Sequence, residues 1–371
     1  MSAPAQAAAG PVAVQAALVE LVARDAAAAE TGRELTPQVV AALREAGFRR
    51  HLVPRAYGGA GGSFGDLTRA VAAIGAACAS TAWCASVGAH LARMASFLPG
   101  EGAREVWAEG PDAVLAGSLI PGGTADPVAG GWRLSGRWPY VSAVQHADWA
   151  LLCVLAPASG PAEALMVAVP RKDLRVEDTW SDVGMRATGS HTAIVENVVV
   201  PEHRAVRRAE IIEDRRGGVP LRAVNALSFA GPALGAARGM LAAWRGVVAA
   251  KAVQPAAARV PYDAVFARAS GEVDAAGLLL ERVAAVADAG TVTPELEVRN
   301  LRDCALAADV LTTAAERLFR SAGTSAHAVS APLQRHWRDI HSMASHVVLG
   351  FDAAARAYAD NLFARSDVHH T

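Results

Sequence analysis

Lysine is nearly missing from this chain: apart from Lys172 and Lys251, every basic residue is arginine. With the abundant alanine, that bias is the mark of a GC-rich coding sequence and carries no chemistry of its own. An excess of either charge is missing too. Lys+Arg 35 against Asp+Glu 36 leaves a net charge of -1, so no field gathers nucleic acid or an acidic membrane, and a small molecule is the expected ligand. Cys78, Cys84, Cys153 and Cys304 form no Cys-x-x-Cys pair and no signal peptide precedes them. A reducing cytoplasm is therefore the expected location, without a metal cluster. No uninterrupted apolar run approaches the roughly 20 residues that cross a bilayer. What is present is apolar bulk. At 371 residues and 52% hydrophobic content, the chain exceeds what one core usually serves, and two or three subdomains are expected.

The pattern changes three times along the chain. Residues 1–12 are an Ala/Pro/Gly tail with nothing to pack, expected to be disordered. Residues 13–111 read as a helical domain. A helix is expected over Val14–Ala29, and Thr36-Pro37 caps a second that Gly47 closes. Ser63-x-x-Asp66 opens a third over 64–78 as a capping box, and a fourth follows over 81–97. The Gly-rich segment 58–62 lacks the Gly-Lys-Ser/Thr ending of a phosphate loop and reads as a plain turn. Residues 112–205 are a β domain with six runs, 113–120, 131–141, 149–155, 164–169, 174–180 and 192–200. Their spacing without intervening helices predicts an antiparallel barrel or sandwich. Beyond a polar linker at 214–218, the remainder of 206–371 predicts a four-helix bundle over 220–252, 261–289, 294–321 and 331–366. The fold class is thus α+β, mainly α.

Three places draw attention as chemistry. In Gly130–Trp149, Trp132, Leu134 and Gly136 alternate with polar residues as in a half-buried strand, and Pro139 demands a bend or an edge. Beyond it the sheet delivers Tyr140, Ser142, Gln145 and His146. On the last helix, 100° per residue puts Arg335, Asp339, Ser342 and His346 in one stripe. That stripe is either an exposed face with an Arg335–Asp339 pair or the wall of a ligand cavity in which His346 handles protons. His336, His341 and His346 each turn about 140° from the last, so they cannot share a metal ion as a helical pair does. The third place, Asp178–Ser190, ends in Thr188-Gly189-Ser190, a polar turn able to hold a phosphate or ring edge, with Trp180 able to stack on a ring. Taken by itself, the segment reads first as a hairpin turn with a core Trp.

With these segments in hand, the chain resembles the acyl-CoA dehydrogenase fold superfamily over nearly its whole length, in domain order and in Val-Pro-x-x-Tyr-Gly-Gly at 53–59 and Val200-Pro201. Within it, Ser135-Gly-Arg-Trp-Pro-Tyr-Val-Ser142, His146-Ala-Asp-Trp149, Gly184-Met-Arg-Ala-Thr-Gly-Ser190 and Arg335-x-x-Arg338-Asp339 with His346 are similar to signatures of the two-component flavin-dependent monooxygenases. The resemblance implies reduced flavin, FMN or FAD, delivered by a separate NAD(P)H-dependent flavin reductase. Dioxygen is then the co-substrate, and a flavin peroxide oxidises a small organic substrate, aromatic or natural-product in type. It implies catalytic roles for Ser142 and His346, cofactor contacts from Ser118, Trp138, Ser142, Trp180, Thr188 and Ser190, and a substrate-pocket place for His90. A homotetramer is implied as well. Related enzymes carry an Arg where this chain reads Gly323-Thr-Ser325, which leaves FMN and FAD both open. Two other readings stand beside this one: a flavin dehydrogenase of acyl thioesters, and a catalytically silent ligand-binding assembly protein. The dehydrogenase needs a Glu base, and the position where one large group carries it is Val347.

Overall fold

The computed structural model describes residues 10–213, 219–251 and 260–366. The polar linker expected at 214–218 and most of the tail expected at 1–12 lie outside the described residues. Five helices come first: α1 (Ala16–Gly32), α2 (Pro37–Glu45), α3 (Phe64–Gly75), α4 (Ala79–Ala95) and α5 (Gly100–Val106). α2 starts where Thr36-Pro37 places it, with the Thr36 hydroxyl accepting the Val39 N–H at 3.3 Å and Pro37 in the first turn, where no N–H is needed. At α3 the Ser63 hydroxyl accepts the Asp66 N–H at 3.0 Å and donates to the Asp66 carboxylate at 2.8 Å. Helix α5 is additional to the expected set, since Pro99-Gly100 reads as a stop and here begins a helix instead.

Eight strands then form one sheet. They are β1 (Leu115–Ser118), β2 (Gly123–Val128), β3 (Gly131–Val141), β4 (Trp149–Ala156), β5 (Glu163–Pro170), β6 (Arg175–Glu177), β7 (His191–Pro201) and β8 (Ala205–Arg207). Each of the six expected runs contains a strand; β2, which lacks an alternating apolar pattern, and the three-residue β8 are additional. The order is β6-β7-β3-β2-β4-β5-β8 with β1 beside β4. This is one open sheet in place of the expected antiparallel barrel or sandwich, and it is not wholly antiparallel. β1 runs parallel to β4 with Leu115 opposite Trp149, and β2 meets β4 in parallel at Thr124 and Leu155. The β2–β3 hairpin supplies the long crossover that a parallel pair requires. The bend expected at Pro139 is present on a central strand: the β3–β7 register breaks between Trp138 and Val141, and Tyr140 has φ 61°.

The C-terminal part contains α6 (Arg208–Glu213), α7 (Leu227–Lys251), α8 (Val260–Asp288), α9 (Pro294–Ala322), α10 (Pro332–Ala344) and α11 (Phe351–Ser366). The single last helix expected over 331–366 is broken. α10 stops at Ala344, a 3-10 turn occupies Val347–Leu349, and His346 between them has extended backbone with ψ 130°. The even four-helix bundle thus gives way to three long helices packed with two shorter ones.

One apolar core joins the two helical parts. Leu67, Val71 and Ile74 of α3 pack with Leu227, Leu234 and Met240 of α7, Leu311 and Leu318 of α9, and Ile340 and Met343 of α10. Small residues set the spacing: a Cβ on Gly75 would stand 3.1 Å from the Cα of Gly235, so α3 and α7 approach backbone to backbone. The sheet has a core on each face, one around Leu134, Trp138, Leu152 and Val167, the other around Leu151, Cys153 and Met166 with α5 and the end of α4. All four cysteines are buried and unpaired. Among the described residues, no helix is long and apolar enough to cross a membrane.

Candidate active site

Ser142 is the first residue beyond β3, so the sheet fixes where its hydroxyl stands. Its Oγ accepts from Trp83 Nε1 on α4 at 3.0 Å and lies 2.8 Å from Ser190 Oγ. Ser190 Oγ is 2.7 Å from Thr188 Oγ1, which donates to the Met185 carbonyl at 2.8 Å. Because the Thr188 proton is committed to Met185, Ser190 donates to Thr188 and Ser142 to Ser190. A hydroxyl has one proton and two lone pairs. With Trp83 donating to it, the half-buried Ser142 oxygen keeps one lone pair for a ligand N–H. Thr188 and Ser190 are buried, and the Ala143 N–H ties the strand end to the Thr188 carbonyl at 2.8 Å.

His346 closes the other side. Its ring stacks on Phe229 at 3.9 Å with planes 27° apart and meets Trp83 edge-on at 5.7 Å, while Trp83 and Phe229 lie 4.9 Å apart. Nδ1 accepts the Val348 N–H at 3.3 Å, which puts the proton of the neutral ring on Nε2. Burial pushes its pKa down to about 4. Trp83 therefore touches both halves of the site, the hydroxyl line and the imidazole.

The stripe on the last helix has a different use from either one expected. His346 is not on the helix, and no Arg335–Asp339 ion pair forms. Asp339 is buried and accepts the Met185 N–H at 2.6 Å; burial raises its pKa to about 6. Arg338 pairs with Glu30 and donates to the Val183 carbonyl, and Arg335 lies 3.9 Å from Glu30. Gly184 passes so close to α10 that a Cβ there would stand 2.3 Å from Ser342 Oγ and 2.5 Å from the Arg338 carbonyl oxygen. The stripe thus docks the 184–190 turn, and through it Thr188 and Ser190.

The other expected site residues divide. Trp180 braces the same turn: it is buried, its indole N–H lies 3.1 Å from both the Met185 and Arg186 carbonyls, and the Tyr140 ring meets it edge-on at 6.2 Å. Trp138 is wholly enclosed in the sheet core, with its indole N–H on the Cys153 carbonyl at 2.6 Å. Ser118 sits half-buried at the end of β1, where among the described residues its hydroxyl meets the Ile120 backbone at 3.4–3.5 Å and makes no hydrogen bond to Ser142. His90 is buried on α4, two turns beyond Trp83. Trp83 and Phe229 are what sequence reasoning misses. Trp83 meets Ser142 across 59 positions, and its one local signal is a large indole among the small residues Ala82, Cys84 and Ala85.

Residues 12–99 match the family model for the acyl-CoA dehydrogenase N-terminal domain, and residues 227–351 that for the C-terminal domain. The chain is 32% identical over 369 residues to the oxygenase component of FADH(2)-dependent resorcinol hydroxylase from Rhizobium sp. (strain MTP-10005), covering 91% of this chain and 90% of that one. It is 32% identical over 352 residues to HsaA, the oxygenase subunit of a flavin-dependent monooxygenase from Rhodococcus jostii (strain RHA1), covering 89% and 92%. Among solved structures, 3-HSA hydroxylase from Rhodococcus sp. RHA1 superposes with a TM-score of 0.87 at 30% identity over 94% of this chain and 95% of that one. XiaF from Streptomyces sp., solved with FADH2 and glycerol, gives 0.82 at 28% identity over the same 94% and 95%. The chain belongs to the acyl-CoA dehydrogenase fold superfamily, in its branch of oxygenase components of two-component flavin-dependent monooxygenases.

Proposed function

We propose that this protein oxidises a small organic substrate, aromatic or natural-product in type, using dioxygen and reduced FMN or FAD that a separate NAD(P)H-dependent reductase delivers. The observation that carries the reading is the free lone pair on Ser142 Oγ, because the reduced isoalloxazine edge has an N–H to offer it. When bound, reduced flavin supplies the oxygen chemistry, activating dioxygen so that one atom passes to the substrate. Ser142 orients the ring edge, and Ser190 and Thr188 hold the Ser142 proton away so that its oxygen remains an acceptor. Trp83 and Phe229 wall the reacting space against water. His346, neutral and protonated on Nε2, is a hydrogen-bond donor there and a weak base; its part is to donate from Nε2 to an oxygen of the substrate or of the departing water.

The competing dehydrogenase needs a carboxylate base. Val347 stands in an exposed turn, Ala233–Trp244 holds no acid, and buried Asp339 is engaged by the Met185 N–H. The 13–111, 112–205 and 206–371 divisions, a cytoplasmic location and a homotetramer belong to the same proposal. Exposed Leu278 on α8 and Phe351, Leu362 and Phe363 on α11 support assembly. The deciding experiment supplies reduced flavin and oxygen with a panel of phenols, polyketide aromatics, amines and sulfides, and reads product mass. A gain of one oxygen is expected; a protein that instead holds oxidised FAD stoichiometrically and is reduced by an acyl-CoA is a dehydrogenase.

A further inference from the structure

Helix α4 has a second polar group beyond the catalytic end. His90 is buried; its Nδ1–H donates to the Ser86 carbonyl at 2.9 Å, which leaves Nε2 as an acceptor with no partner. One turn further, Arg93 lays its guanidinium beside Phe64 and Phe97, with Cζ 5.5 and 5.6 Å from the ring centroids. One terminal nitrogen donates to the Val219 carbonyl at 2.5 Å; the other is buried and unpartnered. Among the described residues no carboxylate pairs with Arg93. Asp288, the acid beside Phe64, is occupied by the Phe64 and Gly65 N–H groups at 2.7 and 2.9 Å. Burial lowers the Arg93 pKa to about 10, which leaves it cationic at neutral pH. Arg93 as a whole is half-buried, but a guanidinium with one nitrogen enclosed and no counter-ion is costly unless something supplies one.

The placement says what that is. At 100° and 1.5 Å per residue, His90 lies about 20° around α4 from Trp83 and about 10 Å along it, and Arg93 about 80° around and about 15 Å along. Ser86, on the same strip, donates to the Ser228 carbonyl at 2.7 Å, next to Phe229. One face of α4, covered by the start of α7, therefore runs from the Ser142–His346 group to an unpaired acceptor and then to an unpaired cation.

Building on the oxygenase reading, we propose that Arg93 is a specificity residue that binds the carboxylate of an elongated aromatic substrate, whose reacting ring lies at Trp83 and His346. His90 Nε2 accepts a hydrogen bond from the same molecule. Calorimetric titration tests this with ω-(4-hydroxyphenyl)alkanoates of increasing chain length against their neutral amides, both without flavin and anaerobically with reduced FMN. The wild type prefers the carboxylate by tenfold or more at one favoured length. Arg93→Met lowers carboxylate affinity roughly ten- to a hundredfold and changes amide affinity less than twofold, whereas Arg93→Lys keeps most of the preference. If Arg93→Met does not fold, Arg93→Gln retains a donor for Val219 without the charge and allows the same comparison. Equal losses for acid and amide would mark Arg93 as a brace for the 219 segment and overturn the proposal. A wild type without carboxylate preference at any length, including one that binds neither series, overturns it as well. No titration involves oxygen transfer, so failure here leaves the oxygenase reading to its own mass measurement.

Discussion

At the scale of residues, Ser142 and His346 fail in different ways. Ser142→Ala removes an acceptor from Trp83 and from the ring edge. It should lower stability by about 1–2 kcal/mol in denaturant titration and divert oxygen to hydrogen peroxide before substrate reacts. His346→Ala leaves the hydroxyl line intact, so reduced-flavin binding should persist while product falls roughly a hundredfold. Stopped-flow absorbance after mixing with oxygen separates early leakage from failed transfer; wild-type coupling in both variants would return these residues to a structural role. Protonation sets a further test. Burial depresses His90, His336 and His346 to about 4, against about 6.5 in the unfolded chain. Their contribution is present above about pH 6.5 and is lost as pH falls toward 4, because only the unfolded state takes up those protons. Asp339 opposes this. Its carboxyl, raised to about 6, favours the folded state as pH falls from 6, offsetting one histidine of three. Melting temperature should therefore decline between pH 6.5 and 4.5, and less steeply in His336→Gln; a flat profile would contradict the buried neutral histidines.

At the scale of elements, the 184–190 turn is held by α10 rather than by its own sequence. Gly184→Ala would drive a Cβ into the α10 backbone, and Asp339→Ala would strand the buried Met185 N–H at about 1–3 kcal/mol. Both should lower thermal stability and weaken reduced-flavin binding together, since Thr188 and Ser190 ride on the turn. Asp339→Asn keeps an acceptor oxygen and should be milder. Weakened flavin binding in Asp339→Asn equal to that in Asp339→Ala would mean that charge, not the hydrogen bond, holds the turn. The same contrast explains what the sequence discloses. Caps at Thr36 and Ser63 are local chemistry, complete within four residues, and β3 carries its period and its bend in its own letters. The parallel β1–β4 pairing is a choice between distant partners that no single strand encodes. The break at His346 escapes helical arithmetic because that arithmetic presumes the helix it measures. Ser142, Thr188 and Ser190 are legible through motifs, yet Trp83, which joins them to His346, acquires its meaning only in three dimensions.

At the scale of the whole molecule, the protein should be nearly colourless as purified. Anaerobic titration should give reduced flavin micromolar or tighter binding, with oxidised flavin weaker. Light scattering should report four copies, and a monomer at micromolar concentration would remove the support that Leu278 and Phe363 lend to assembly. The core shared by the first and last helices has a consequence in time. Leu67, Val71 and Ile74 leave the ribosome long before Leu227, Leu234 and Met240, which cover them. At about 5–20 residues per second, α3 and α4 wait roughly seven to thirty seconds with the α7-facing part of their core in water. Throughout that interval the nascent chain carries a sticky apolar face, and the yield of active oxygenase depends on what shields that face until translation reaches α7.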